Sequence, residues 1–351
     1  MNLLAGYITI ILIVIIYLTV VLLLYLKRNP SSHPEPKSPT ELNPSIVTYS
    51  YLGSRGDMGN QMFQLACVIA AAKRSGATVV LPTSVTSLPI NRLFDLGEFE
   101  RRDIDIDASF HEYDNYEHIV VPGDGRKYDI NGYRQAYSYF EDYASEIRRV
   151  FTPRRDILDC VRQVLPRQYI ALHIRRGDYV KSLHRIPLLR EFRQCHMEYY
   201  KSGIAKLRET YPNCPLLVCT DSVEWVKPLL KQLDPEATMA PVVSEISGKF
   251  SDFCTLYLAD AVVMSNSTYS WMASYLRNNR IIVAPSPWWD PDGFIGTSMA
   301  LDGPYLHHPD WFLLDARTGL LVRKPHCDIG DKPDNNGETL NIYRLIRGLT
   351  L

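Results

Sequence analysis

Residues 3–26 carry no charged side chain and are dominated by Leu, Ile and Val. That is about the length an α-helix needs to cross a bilayer. A cleaved signal peptide calls for a basic start, a shorter apolar core and a small-residue cleavage site. None is evident, so the run is read as a membrane anchor. Lys27 and Arg28 follow it and only the α-amino charge precedes it. Flanking charge alone would therefore leave the C-terminal side in the cytosol, although long domains translocate despite such charge. Over residues 29–44 the pattern changes abruptly to Pro30, Pro34, Pro36, Pro39 and Pro44 among Ser, Glu and Lys. Closely spaced prolines prevent helix and favour an extended, solvated stem.

Beyond the stem the apolar pattern alternates between strand-like and helix-like stretches. Residues 45–52 read as a strand, 60–75 as a helix and 78–81 as a second strand. Residues 95–135, rich in Asp and Tyr, do not parse cleanly, and 140–164 read as mostly helical, a bridge between two domains. Short apolar runs at 169–174, 216–219, 261–264 and 281–284 predict buried strands. They are separated by helical stretches at 194–210, 223–233, 251–258 and 269–277. This alternation predicts parallel sheets wrapped by helices, with ligands beyond the carboxyl ends of the strands. No internal repeat is visible.

Composition narrows the function classes. The 351 residues are 46% hydrophobic and 22% charged, as in ordinary globular protein. With 38 basic and 39 acidic residues the net charge is −1, which argues against a nucleic-acid partner. Any anion bound here must be held by a few local cations. The 7 Cys form no CxxC pair, which disfavours a zinc ribbon or thioredoxin-like motif. Cys67, Cys219 and Cys254 lie in apolar stretches and read as core residues. Cys160, Cys195, Cys214 and Cys327 could pair in an oxidising lumen.

Three segments at predicted strand ends carry candidate chemistry. In His173-Ile174-Arg175-Arg176-Gly177-Asp178, strand alternation sends His173 and Arg175 to one face. Two guanidinium forks there suit a diphosphate, while the plainer reading is a surface ion pair of Arg176 and Asp178. Around Gly53, Gly56 and Gly59, a turn between strand and helix lets backbone amides approach an anion. The spacing fits neither a dinucleotide fingerprint nor a P-loop, and a simple turn with Asn60 as helix cap is the alternative. The third segment runs from Ser251-Asp252-Phe253 to Ser265-Asn266-Ser267-Thr268-Tyr269-Ser270-Trp271. Its hydroxyl-rich loop is a second anion cradle. Asp252 could accept two N–H bonds from a guanine edge or merely compensate a helix dipole. Asn266-Ser267-Thr268 also matches a glycosylation acceptor.

Taken together, these segments resemble the α-1,2-fucosyltransferase family, glycosyltransferase family 11. Residues 56–63 are similar to its N-terminal glycine loop, with Asp57 where a second glycine often stands. Residues 173–179 carry its HxRRGD core unchanged. Thr220-Asp221-Ser222 resembles its acidic turn, and residues 252–276 resemble the segment leading into an N-S-[ST]-[FY]-S-W motif. The resemblance implies an α/β fold of two facing Rossmann-like domains (GT-B-like) behind a transmembrane helix and Pro-rich stem. Residues 45–164 would form the acceptor side and 165–351 the GDP-fucose side. It implies inverting transfer of fucose from GDP-fucose to the 2-hydroxyl of a galactose-terminated glycan, without a metal or other cofactor. By similarity, Arg175 and His173 would hold the β-phosphate, and Arg176 and Asp221 would be further substrate-binding residues. Asp252 would read guanine, Ser267 and Thr268 would bind phosphate or ribose, and Asn60 would face the donor or acceptor. Asp178, beside the phosphate-binding arginines, is the expected general base, with His184 and Asp57 as rivals. The family setting is a single-pass type II Golgi membrane protein with a lumenal catalytic body, and a homodimer is compatible with the sequence.

Other readings remain open at this level. Asp103, Asp105 and Asp107 alternate with Ile104 and Ile106 and could line one strand face around a divalent ion, as in a metal-dependent glycosyltransferase. Arg101 and Arg102 just before them favour a solvated edge strand. Protein O-fucosylation, core α-1,6 transfer and an inactive membrane-tethered sugar-binding protein share the same strand-end logic.

Overall fold

A computed structural model describes residues 44–111, 117–177, 195–278, 280–289 and 306–325. The 3–26 run, the stem up to Asn43, Asp178, His184 and Cys327 lie outside the described residues. Among the described residues no helix is long and apolar enough to cross a membrane.

Two sheets organise the body. The first comprises β1 (Ile46–Thr48), β2 (Thr78–Leu81), β3 (Glu100–Arg101), β4 (Ala108–Phe110) and β5 (Lys127–Ile130). Its order is β3-β2-β1-β5-β4, parallel throughout. The second comprises β6 (Ile170–Ile174), β7 (Leu216–Thr220), β8 (Ala237–Met239), β9 (Ala261–Val263), β10 (Ile281–Ser286), β11 (Phe312–Asp315) and β12 (Leu321–Arg323). Its order is β12-β11-β10-β9-β6-β7-β8, parallel except for the antiparallel β11–β12 edge. In both sheets the chain builds outward from a central strand, β1 or β6, and then restarts on that strand's other side. The reversal opens a crevice at the carboxyl ends of the central strands. Every residue of β6 and β7 is buried, which is why these strands read as unbroken apolar runs.

Several elements differ from the pattern-based expectation. The stretch at 140–164 is two helices, α2 (Ala144–Val150) and α3 (Arg155–Arg162), parted near Pro153, which cannot continue a helix. Residues 223–233 break likewise at Pro228 into short turns. The unparsed 95–135 region supplies three strands of two to four residues, too short to show a period of two. Residues 102–106 are irregular, so Asp103, Asp105 and Asp107 do not share a strand face. Asp103 instead accepts from Thr83 and Asp107 from the Lys127 amide. Cys67, Cys214, Cys219 and Cys254 are buried, and Cys160, Cys195 and Cys214 form no disulfide with one another.

The helices between the strands bring the two sheets together. Helix α1 (Met58–Ser75) buries 14 of its 18 residues, as expected of a helix covered on all sides. Helices α4 (Met197–Arg208), α5 (Gly248–Leu258) and α6 (Thr268–Tyr275) belong to the second lobe. Phe63 of α1 lies 4.6 Å from the Trp271 ring of α6, and Trp271 stacks on Tyr275 at 5.0 Å. Buried aromatic side chains of this size contribute about 2–3 kcal/mol each. At the far ends of α5 and α6 a single guanidinium, that of Arg280, donates to the carbonyls of Leu256, Tyr257, Ala259, Ala273 and Ser274.

The near ends of α1 and α6 almost touch. A Cβ on Gly59 would stand 2.4 Å from the Tyr269 amide nitrogen and 2.6 Å from the Thr268 carbonyl carbon, so backbone would have to move. Gly59→Ala is expected to lower stability by about 1–3 kcal/mol through overpacking, measured by urea unfolding. A Gly76→Ala control has no neighbour within 4 Å but is strained by its φ of +64°; it should show backbone strain without parting the helices.

Candidate active site

The carboxyl ends of β6, β7 and β9 and the turn after β1 surround one cleft of about 800 Å³. Among the residues expected from sequence, it gathers Asn60, His173, Arg175, Asp221, Asp252, Ser267 and Thr268.

At the end of β6, His173 is 5% exposed and its Nδ1 lies 2.8 Å from Ser265 Oγ, in the loop after β9. Burial, reinforced by the Arg175 cation, pulls the imidazole down to about 3. His173 is therefore neutral and can offer one N–H to an anion without adding charge. Arg175 Nη1 pairs with Asp221 Oδ2 at 2.9 Å. The other oxygen of Asp221 accepts from the Arg176 and Gly177 amides at 3.0 and 3.2 Å. This acid at the end of β7 thus shapes the turn as well as holding Arg175. A Cβ on Gly177 would fall 2.4 Å from Asp221 Oδ2, so the close approach needs glycine. Arg176 is not brought to the cleft wall; its guanidinium lies over the Trp225 ring at 3.7 Å.

The hydroxyl-rich loop after β9 places Ser267 at the cap position of α6. The first amides of a helix lack intrahelical partners and favour negative charge. Thr268 Oγ1 donates to Asn60 Oδ1 at 3.0 Å, and Gln135 Nε2 donates to the same oxygen at 2.8 Å. Asn60 thereby links the two lobes. It is not the helix cap considered from sequence, because α1 begins at Met58 with Asp57 in the cap position and without a side-chain cap bond. Asn266 is 2% exposed and its Nδ2 donates to Trp288 O, so the glycosylation pattern is buried in the folded chain.

Asp252, in the first half of α5, lines the cleft near Val218, Met239 and Ala240. Burial pushes its carboxyl up to about 7. An apolar wall with one carboxyl suits a flat heterocycle bearing adjacent N–H donors.

The lining residues that escaped the sequence reading include Lys249, Gln135 and Trp289. Lys249 Nζ lies 3.9 Å from Asp57 Oδ2, across the cleft from the other lobe. Helix α5 starts at Gly248, whereas the apolar pattern suggested 251, so Lys249 looked like a loop residue. Gln135 fell in the segment that did not parse. Trp289 lies just past the carboxyl end of β10, where the strand-end rule places ligands.

The sequence model of glycosyl transferase family 11 matches residues 37–297, which takes in every cleft residue named above. The chain belongs to glycosyl transferase family 11. The recognition drawn from the glycine loop, the HxRRGD core and the N-S-T-Y-S-W segment stands, and with it the expected class of enzyme, a fucosyltransferase. An α-1,2-colitosyltransferase of Escherichia coli is 27% identical over 169 residues, covering 45% of this chain and 55% of that protein. The chain thus matches about half the length of that relative. Galactoside α-(1,2)-fucosyltransferase 2 of Sus scrofa is 23% identical over 299 residues, covering 80% of this chain and 84% of the relative. The crystal structure of fucosyltransferase NodZ from Bradyrhizobium superposes with a TM-score of 0.42 at 14% identity, covering 66% of this chain and 91% of that chain. That likeness is too loose to bear on the assignment.

The raised carboxyl of Asp252 has a consequence for stability. An acid held near 7 when folded, against an ordinary value of about 3.9, binds its proton more tightly in the native state. That contribution is complete at low pH and is lost as pH rises from about 4 through about 7. Asp252→Asn should therefore raise Tm by a few degrees at pH 8, by less at about pH 5, and leave it nearly unchanged at about pH 3.5, read by thermal unfolding.

Proposed function

We propose that this enzyme transfers fucose from GDP-fucose to the 2-hydroxyl of a galactose-terminated glycan, with inversion and without a metal ion. The observation that carries the donor reading is the gathering of Arg175, His173, the α6 N-terminus and Asp252 around one cleft at the switch point of the second sheet. Arg175 and the amides leading into α6 would take the diphosphate. Asp252 would take the guanine N–H edge, with Val218 and Met239 against its faces. Lys249 adds a cation at the mouth. The galactosyl acceptor is supported by the Sus scrofa relative, whose name states that acceptor and linkage.

In this reaction the acceptor oxygen attacks the anomeric carbon of fucose from the face opposite the diphosphate. The bond from that carbon to the diphosphate oxygen breaks, and GDP leaves with the electron pair. Charge grows on the departing diphosphate, where donors fixed in advance lower the barrier most. The proton of the acceptor hydroxyl passes to a base, a role proposed for Asp178 on its place beside the arginine pair in the sequence. Asp178→Asn should lower kcat by roughly a hundredfold or more while leaving GDP affinity intact. Equal loss of GDP binding would remove it from that role.

The deciding experiment is a transfer assay on the body from Ser45 onward, with labelled GDP-fucose, lactose-type acceptors and excess chelator. Fucose at the galactose 2-hydroxyl is the expected product. Arg175→Ala should weaken GDP-fucose binding roughly thirtyfold or more, as loss of a charged partner costs about 2 kcal/mol or more. Donor binding without transfer to any galactoside would move the acceptor to a protein or core glycan. Full activity of Arg175→Ala would overturn the donor site.

A further inference from the structure

Next to the cleft, the first sheet presents a second set of strand ends. Strands β1 and β5 are adjacent, with Thr48 opposite Asp129, and they flank that sheet's own switch point, where an open α/β sheet binds ligands. Two loops leave these ends, residues 49–57 and 131–135. They are tied together at their bases: Tyr49 Oη donates to Gly132 O at 2.7 Å, and the Ser50 amide donates to Asp129 Oδ1 at 2.7 Å. Each loop presents an exposed tyrosine, Tyr51 at 52% and Tyr133 at 46%. Each then runs into the cleft wall, at Gly56 and Asn60 for one and at Gln135 for the other.

The turn between Tyr133 and Gln135 is held in place. Arg134 has a left-handed φ of 53°, uncommon for a residue with a side chain. Its buried guanidinium donates to Asn131 O at 2.6 Å and Phe110 O at 2.7 Å. Strained backbone that its surroundings hold fast is a mark of functional sites. A polar group accompanies the rings: the Arg55 guanidinium lies 5.7 Å from the Tyr51 ring centre. The third exposed aromatic among the described residues, Trp225, is covered by Arg176.

Exposed aromatic rings beside planar polar side chains fit a pyranose. Its C–H face packs on a ring, and its hydroxyls bond to the guanidinium. We propose that Tyr51, Tyr133 and Arg55 form a platform for the sugar units that precede the terminal galactose, so that the enzyme selects an extended oligosaccharide. This rests on the glycan-acceptor reading above. The terminal sugar lies at the Asn60–Gln135 junction, and the next units run outward over the tyrosines.

The test compares a lactose-type disaccharide with a galactose-terminated tetrasaccharide on the full chain. The native enzyme should show the lower KM for the tetrasaccharide. Tyr51→Ala and Tyr133→Ala should each raise that KM roughly three- to tenfold, well beyond any change for the disaccharide, with GDP affinity unaltered. Tyr51→Phe and Tyr133→Phe should keep the native preference, since the ring survives. Equal KM for both acceptors in the native enzyme, or alanine variants that shift both acceptors alike, would overturn the platform. Saturation-transfer NMR of the tetrasaccharide with GDP present gives a readout independent of turnover. Saturation lost in the alanine variants supports the platform even if no product forms, a result that would count only against the proposed reaction. No saturation on the native chain overturns the platform.

Discussion

Two helix N-termini meet at Gly59, where the absence of a side chain lets α1 begin against the first residues of α6. The site depends on this contact. It sets the crevice of the first sheet opposite that of the second, and it brings Asn60 within reach of Thr268 and Gln135 at once. Directly behind it, Phe63 and Trp271 are fully buried against each other, so the lobes meet there through packed aromatic rings.

Within the cleft, charges are balanced before any ligand arrives. Arg175 is matched by Asp221, Lys249 stands near Asp57, His173 is neutral, and Asp252 holds its proton up to about pH 7. Each arrangement lowers the cost of keeping ionisable groups in a partly buried space. A nucleoside diphosphate would replace these pairings with stronger ones. Its phosphates would share Arg175, and its base would supply donors that favour the ionised Asp252. The exposed Lys249–Asp57 pair is worth little by itself and gives way readily.

How much of this was legible in the sequence follows from the physics of each element. Fully buried strands such as β6 and β7 announce themselves, because both faces demand apolar residues. The strand-end rule then led from β6 to His173 and Arg175, whereas Asp221 came from the family resemblance and Asp252 from the acid preceding the hydroxyl-rich loop. Strands β3, β4 and β5 are too short to carry a period, so the loop bearing Gln135 and Tyr133 stayed hidden. Reading the apolar pattern straight through Pro153 and Pro228 merged helices that the prolines part. Arg176 shows a different limit: the motif singles the residue out, but its side chain is taken up by the Trp225 ring, a partner the motif does not contain.

The buried guanidinium of Arg280 bears on how the cleft handles a changing charge. It joins the carbonyl ends of α5 and α6, and the opposite ends of both helices open into the cleft at Lys249 and Thr268. A cation on the negative ends leaves the positive ends less opposed, so the potential across the cleft becomes more favourable to an anion. Helices pinned together at the back also have little freedom to turn at the front. Water around a departing diphosphate must reorient as the bond stretches; in the proposed transfer, amides fixed in this way would not need to.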